Sequence, residues 1–422
     1  MSVRTTGRRV VRDGAAIAIA MAVMNVTTYA FTILAARMLG PAEYGALAAV
    51  MGLLLVVNVL SLGLQATGAR RVSAVPENRP WIEREVLATS YASALALGVI
   101  ALLGAPLVTD LLNLDSWVVA ALIAATVVPL SIMGGQAGIL QGERRWGPLA
   151  AIYVAVGVGR LGFGGVALAV KPDTLGAMIG VTIGAFAPVI IGAIVLRHSD
   201  RRRDGAATTG RLTERWAAGG VLRETLHNSH ALLAFFALSN ADVIIARSTL
   251  GEHQAGLYAG GLILTKAVLF LPQFVVVIAF PSMSKQGARQ RMHLVGLAAV
   301  LAIGLVTVTG VAVLSKLAVV FIGGPEYTDL EGRLWLFAVV GTLLAMIQLM
   351  IYDVVARQHQ RMVLVVWAAL VALLCAAPFV TSLTSLVTVV LTVDALLFVA
   401  LLLASLRRPA AVSPTAAAQG VA

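Results

Sequence analysis

The chain has 422 residues, of which 59% are hydrophobic and only 12% are charged, and its mean hydropathy is +0.92. Because an ordinary soluble domain carries roughly 25% charged residues, this composition excludes a water-soluble globular protein and predicts the lipid bilayer as solvent. The formal net charge of +11 would suggest a nucleic-acid partner if the basic residues formed one patch. They lie instead in alternate loops between apolar segments, so we expect no nucleic-acid partner.

Apolar segments recur along the whole chain, each long enough to cross the roughly 30 Å hydrocarbon core at 1.5 Å per residue. The first follows a basic stretch at 1–13 and is too long for the apolar region of a signal peptide. The breaks between segments predict about twelve spans, at 14–38, 43–68, 86–112, 117–140, 148–170, 175–196, 226–248, 255–281, 293–322, 333–355, 362–381 and 384–406.

The positions of Lys and Arg predict the orientation of these spans. Of the 31 basic residues, 24 fall at the termini, in the segment 197–225 or in alternate loops that share one side of the membrane, here named the basic side. The loops of the opposite side are short and nearly free of them. Since positively charged loops stay cytoplasmic, we expect a bacterial inner-membrane protein with both termini (1–13 and 407–422) and the 197–225 linker in the cytoplasm.

An internal similarity relates the two halves of the chain. The segment 33–45 can be laid on 244–256, a displacement of 211 residues, so that an isoleucine, an alanine, a leucine and two glycines coincide. In both copies the segment ends one span and opens the next. Six spans return the chain to its starting side, so the repeat predicts two six-helix lobes in parallel orientation, at 14–196 and 226–406.

Three motifs then indicate a family. The first runs Ala-Arg-Met-Leu-Gly-Pro-Ala-Glu-Tyr-Gly from Ala36 to Gly45, and the second runs from Asp242 to Tyr258 and leads through Leu271-Pro272 to Phe280-Pro281. The third is Leu140 to Arg145. Together, in this order, they resemble bacterial polysaccharide biosynthesis flippases of the multidrug/oligosaccharidyl-lipid/polysaccharide exporter superfamily.

This resemblance implies an all-α integral membrane protein whose two six-helix lobes form a MATE-like, V-shaped pair around a central cavity. It implies transport by alternating access, with an undecaprenyl-diphosphate-type lipid-linked oligosaccharide as substrate and glycan assembly proteins as partners. Coupling would be to H⁺ or Na⁺. We expect no catalytic residues, no cofactor and no metal centre.

Polar side chains at helical spacing identify candidate cavity residues, because polar groups facing lipid are costly. In the first span Asn25, Thr28 and Tyr29 share one face, and in the second Asn58 and Gln65 share one face. These residues would line the substrate cavity. The alternative for such neutral groups is hydrogen bonding between helices.

Basic residues inside spans predict how an anionic carrier would be held. Arg160 lies in a glycine-rich part of the fifth span, and Lys266 shares a face of the eighth span with Gln273. One cation from each lobe is what a diphosphate would need inside a low-dielectric cavity. The alternative is a structural ion pair with Asp242 or Asp394.

Carboxylates inside spans are the candidates for ion coupling. Asp242 in the seventh span is the first choice, and Asp394 and Asp353 compete with it, because a desolvated carboxylate can bind and release a proton as the cavity opens. Arg247 lies near a helix end, where we expect it to snorkel to the interface. The single cysteine, Cys375, is expected to be a small buried hydrophobe.

Two other classes of function stay open at this point. A multidrug or peptidoglycan-precursor exporter of the same superfamily would have the same architecture. An integral-membrane glycan polymerase or ligase would handle similar sugars, but the short opposite-side loops are poor in catalytic residue types, and no nucleotide-binding loop of the Gly-x4-Gly-Lys-Ser/Thr type occurs in the sequence.

Overall fold

A computed structural model describes the chain over residues 3–74, 78–203, 219–269, 289–356 and 360–406. Within these ranges the secondary structure is helical and contains no strand. Ten helical segments are long and apolar enough to cross a membrane, and one of them, Gly14–Ala74, has 61 residues, enough for two crossings. The fold class predicted from the sequence is therefore confirmed, with twelve spans as an approximate number.

The helices follow one another with short connections. The first half of the chain contains α1 (Val3–Val57), α2 (Val59–Ala74), α3 (Arg79–Leu103), α4 (Ala105–Leu111), α5 (Trp117–Gly142), α6 (Trp146–Val170) and α7 (Thr174–Arg203). The second half contains α8 (Gly219–Thr249), α9 (Glu252–Leu269), α10 (Arg289–Val313), α11 (Ser315–Ile322), a 3₁₀ helix (Pro325–Leu330), α12 (Leu334–Ala356), α13 (Gln360–Ala376), a 3₁₀ turn (Ala377–Phe379) and α14 (Leu383–Leu406).

Several helices match the predicted spans to within a few residues, and the differences have local causes. The third predicted span is interrupted at Gly104, just before Pro106, so that it divides into α3 and α4. A proline fits the first turn of a helix, whereas in the interior it removes a backbone hydrogen bond. Helices α7 and α8 also extend into the predicted 197–225 linker, because hydropathy marks where a helix leaves the bilayer and not where it ends.

A left-handed glycine separates the first two crossings. Helix α1 contains Gly40 at φ 68°, ψ 175°, followed by Pro41. The positive φ is open to glycine and strained for other residues, while proline suits the first turn of the new helix segment. This elbow places the chain on the opposite side and turns it back into the membrane.

The two halves meet at the residues that the internal repeat relates. A Cβ placed on Gly45 would lie 2.9 Å from the Cα of Gly256, and a Cβ on Gly256 would collide with the carbonyl oxygen of Pro41. Gly45 and Gly256 are equivalent positions of the 211-residue repeat. Two parallel repeats related by a two-fold axis would bring equivalent residues into contact only close to that axis.

The outer surface of the helices is apolar. Large exposed side chains such as Leu103, Val170 and Phe379 face outward, as expected where lipid replaces water as solvent. Cys375 on α13 is exposed as well. The expectation of a buried cysteine was wrong because an apolar residue in a membrane helix can face lipid as readily as the protein interior.

The glycine contact generates a prediction. Gly256→Ala should lower the free energy of unfolding by about 1 to 3 kcal/mol, the usual cost of overpacking, because the added methyl group meets backbone that cannot rotate away. Thermal unfolding of the purified protein in detergent measures this effect. Gly162→Ala is the matched control, since a Cβ there meets nothing within 4 Å; equal melting temperatures for the two variants would contradict the close approach of the halves.

Candidate functional site: a cavity between the two halves

A cavity of about 180 Å³ lies between the two halves of the chain. We name it the central cavity. The first half contributes side chains from α1 and α6, and the second half contributes side chains from α8 and α9. The polar and charged residues among its lining are Thr28, Tyr29, Thr32, Tyr44, Arg160, Asn240 and Lys266.

Arg160 reaches the central cavity from the glycine-rich helix α6. Glycines on both sides of it allow close neighbours: a Cβ on Gly157 would meet the backbone of Met24, and one on Gly159 would meet that of Gly184. Within the described part of the chain no hydrogen bond or ion pair to Arg160 is found. A guanidinium group with five donors therefore faces the cavity without a protein acceptor among the described residues.

Lys266 enters the same cavity from helix α9 of the second half. Its ammonium group donates to the carbonyl oxygen of Ser239 at 2.9 Å and to Oδ1 of Asn240 at 3.0 Å. Both acceptors are neutral, so its charge is solvated but not neutralised by them. Among the described residues neither Lys266 nor Arg160 forms an ion pair with Asp242 or Asp394, the alternative that the sequence left open.

Tyr29 crosses from one half to the other beside these cations. Its hydroxyl group donates to the carbonyl oxygen of Ile263 at 2.9 Å, and its ring lies 6.2 Å from that of Phe321. Thr28 lines the cavity one residue earlier. The polar face predicted for the first span thus meets the second half of the chain at this level.

The remaining predicted cavity residues lie elsewhere or outside the described part. Gln65 donates from Nε2 to Gln141 and to Tyr153, at 2.9 and 2.7 Å, within the first half. Asn58 occupies the break between α1 and α2, and its buried Oδ1 has no donor partner among the described residues. Asn25 lies on α1, away from the lining of the central cavity. Gln273 lies outside the described residues.

The predicted coupling carboxylates are placed behind the cavity in the second half. Asp242 is 2% exposed; it accepts from the backbone N–H of Val243 at 2.8 Å and from the hydroxyl of Tyr258 at 3.0 Å. Asp394 on α14 is also buried, and its Oδ2 has no partner among the described residues. The two carboxylates are close enough for their charges to interact. Asp353 belongs to α12, but its side chain lies outside the described set.

Sequence reasoning did not identify two residues that line the central cavity, Asn240 and Tyr44. Asn240, which holds Lys266, stands between Ser239 and Asp242, so the polar run on α8 was a signal that could have identified it. Tyr44 is fully buried beside the cavity, and no periodicity distinguishes it from an interfacial aromatic residue.

The opposite side of the interface is closed by backbone acceptors. Arg247 is 4% exposed and donates to the carbonyl oxygens of Leu112 and Asn113 in the first half, at 2.9 and 2.8 Å. Nδ2 of Asn113 in turn donates a hydrogen bond to the carbonyl oxygen of Arg247 at 3.2 Å. The expectation that Arg247 snorkels was wrong, because the loop after α4 supplies acceptors inside the protein. We name this contact the opposite-side seal.

The basic side of the interface is closed as well. A Cβ on Gly63 of α2 would collide with Ser229 of α8, and beyond this contact Arg70 and Arg71 bind Glu224 of α8. The described residues of the two halves thus contact each other on both sides of the central cavity.

A comparison with known protein families identifies the family of this chain. The profile of the family described as "Polysaccharide biosynthesis protein" matches residues 10–286, more than half of the chain. The chain belongs to the polysaccharide biosynthesis protein family. A search of curated proteins found no significant match.

Solved structures extend the similarity to the whole chain of this polysaccharide biosynthesis protein. The lipid II flippase MurJ in an inward closed conformation has a TM-score of 0.69 at 12% identity, covering 93% of this chain and 88% of that one. An inward-facing multidrug resistance MATE family transporter of the MOP superfamily has a TM-score of 0.63 at 13% identity, covering 90% and 94%. An outward-facing multidrug resistance MATE family transporter of the MOP superfamily has a TM-score of 0.57 at 15% identity, covering 94% of this chain and 96% of that one. At these identities the likeness shows a shared fold.

Arg160 and Arg247 should respond differently to neutralisation. Arg160→Gln should leave the folded abundance in the membrane unchanged, because no described partner is stranded. Arg247→Gln should lower stability by about 1 to 3 kcal/mol, since buried carbonyl oxygens lose their donor. Quantitative immunoblotting and thermal unfolding measure both effects. A loss of abundance for Arg160→Gln equal to that for Arg247→Gln would show that Arg160 is structural.

Proposed function

We propose that this protein translocates a lipid-linked oligosaccharide, a polysaccharide precursor, across the cytoplasmic membrane by alternating access. The observation that carries the proposal is the pair formed by Arg160 and Lys266: two cations, one from each half, that line one cavity and have no carboxylate within ion-pair distance among the described residues, although the charge of Asp242 acts on Lys266 from behind the cavity. The basic side would face the cytoplasm, as the distribution of Lys and Arg predicts.

The charge of this pair suits an anionic group. Burying an unpaired cation within a membrane costs several kcal/mol, so two unneutralised cations are expected where a ligand supplies the missing charge. Phosphate oxygens accept from guanidinium and ammonium groups in charge-assisted hydrogen bonds. A diphosphate linkage between lipid and sugar would therefore bind between the halves, and its release would require them to separate.

The volume of the cavity supports alternating access. Sites that enclose a whole drug-sized ligand measure roughly 300 to 1,000 Å³, whereas the central cavity measures about 180 Å³. The closed arrangement has room for the charged linkage but not for an oligosaccharide. Entry and exit of the sugar would therefore require one seal to open while the other stays closed.

Ion coupling would reside in the second half. Asp242 and Asp394 are buried within reach of each other's charge, and Lys266 is close enough to act on Asp242. Binding of H⁺ or Na⁺ at these carboxylates would change the charge that Lys266 experiences, and with it the affinity for an anionic substrate. Asp353 stays a competing candidate for this role.

Neutralising the cavity cations should therefore reduce transport. In cells that lack the protein, lipid-linked glycan should accumulate on the cytoplasmic leaflet while its synthesis continues. Re-expressed Arg160→Gln or Lys266→Gln should restore outward display about tenfold less well than wild type, since a charge-assisted bond contributes about 1.5 to 3 kcal/mol and 1.4 kcal/mol corresponds to a factor of ten. Leaflet-specific labelling of the glycan measures this display, normalised to the folded protein in the membrane.

The controls separate charge from geometry. Lys316→Gln removes an exposed cation that does not line the cavity and should transport normally. Lys266→Arg should be milder than Arg160→Lys, because a guanidinium group that binds phosphate through two donors is not replaced by a point charge. Full outward display with the Arg160→Gln, Lys266→Gln double variant would refute the cationic cavity.

A further inference from the structure

The basic side of the interface is held by a cluster of four charged residues from three helices. Glu224 of α8 binds two arginines of α2 at once: one carboxylate oxygen accepts from Arg70, and the other accepts from Nε of Arg71 at 3.0 Å. Arg71 also reaches Glu85 of α3 at 3.4 Å. We name these four residues the basic-side latch.

The latch joins the two halves through a single residue. Arg70, Arg71 and Glu85 belong to the first half, and Glu224 is the only member that belongs to the second. When the halves separate on this side, Glu224 must leave both arginines. Glu85 stays behind and neutralises one of the two positive charges.

Burial makes this separation costly without a replacement. The side chain of Arg71 is 5% exposed, that of Glu224 is 20% exposed, and that of Arg70 is 58% exposed. Separation takes Glu224 away from both arginines; Arg71 keeps Glu85, and Arg70 loses its carboxylate partner among the described residues. An incoming anion removes that penalty, and it can approach through Arg70, the exposed member of the pair.

We propose that Arg70 and Arg71 form an entry site for the phosphate groups of a lipid-linked substrate, and that binding of these groups displaces Glu224 and opens the basic side. This inference rests on the proposed function. A diphosphate carries more than one negative charge and several acceptor oxygens, whereas Glu224 carries one charge, so the diphosphate binds the two arginines more strongly. Binding of the substrate thereby opens the cavity that receives it.

The chemistry of the opposite-side seal differs. Arg247 there binds the carbonyl oxygens of Leu112 and Asn113 and the carboxylate of Glu252 in its own half, and its side chain is only 4% exposed. An anion in the aqueous phase therefore reaches Arg70 on the basic side, which is 58% exposed, more readily than Arg247.

Distance measurement between the halves tests the proposal. In a Cys375→Ala background, spin labels are placed at Ala74→Cys on α2 and Leu222→Cys on α8, both exposed positions. Double electron–electron resonance is recorded in nanodiscs of phosphatidylcholine, first alone, then with inorganic diphosphate, with a long-chain prenyl diphosphate lipid, or with phosphatidylglycerol.

We expect Glu224→Gln to lose the short-distance population without any added anion. The wild type should lose it when inorganic diphosphate or the prenyl diphosphate lipid is present, and Arg70→Gln should require about tenfold more diphosphate for the same shift. Glu143→Gln is the matched control: it breaks an ion pair with Arg145 that lies within the first half, and its distances should equal those of wild type.

Two results would overturn the proposal. The first is a Glu224→Gln distance distribution identical to those of wild type and Glu143→Gln, since the latch would then not hold the halves together. The second is an equal shift with phosphatidylglycerol and with the prenyl diphosphate lipid, because any anionic headgroup would then act. Neither measurement depends on transport, so a protein that opens with diphosphate but moves no lipid-linked glycan would refute the proposed function and leave the latch intact.

Discussion

The cost of a charge inside a membrane governs this structure. A membrane protein of this composition can place charges in water, in ion pairs or against polar backbone, and the described residues show each solution. Arg71 is paired with Glu224 and Glu85, Arg247 is held by carbonyl oxygens, and Lys266 is held by Ser239 and Asn240. Arg160 has no ion pair and no backbone or side-chain acceptor among the described residues. The helices that surround it therefore enclose a charge for which no described residue supplies a partner.

Close packing of small residues lets two helical halves surround that charge. Gly45 approaches Gly256 on the opposite side, and Gly63 approaches Ser229 on the basic side. Such contacts have little chemical preference of their own, so the halves can separate without exposing unmet polar groups. The preference for open or closed comes from the charged residues at each end, which differ in chemistry: carboxylates on the basic side and backbone carbonyl oxygens on the opposite side.

Sequence reasoning reached the fold because the bilayer imposes a length on every apolar segment. It also related Gly45 to Gly256 through a repeat that shares few residues, and the structure brings these two glycines into contact. It did not find the extension of α7 and α8 beyond the bilayer, since hydropathy does not record helix ends in water. Sequence reasoning could not place Arg247 inside the protein, because its acceptors lie in the loop after α4, more than 130 residues away in the sequence.

Sequence reasoning identified only some of the residues of the candidate site. Arg160, Lys266, Thr28 and Tyr29 were identified as polar or charged residues inside apolar spans, and they meet at one cavity. Gln65 carried the same signal but bonds to Gln141 and Tyr153 within its own half. A polar face on a helix indicates that something polar lies opposite; it does not distinguish a lumen from a neighbouring helix. Only the packing of the helices makes that distinction.

Reconstitution of the purified protein tests the central claim most directly. Vesicles are loaded with a fluorescent lipid-linked oligosaccharide, and a membrane-impermeant reductant then bleaches the outer leaflet. If the cavity between the halves moves this lipid, the protected inner-leaflet fluorescence should disappear with wild-type protein and persist with the Arg160→Gln, Lys266→Gln double variant. Protection that is equal in wild-type, double-variant and protein-free vesicles would contradict the account.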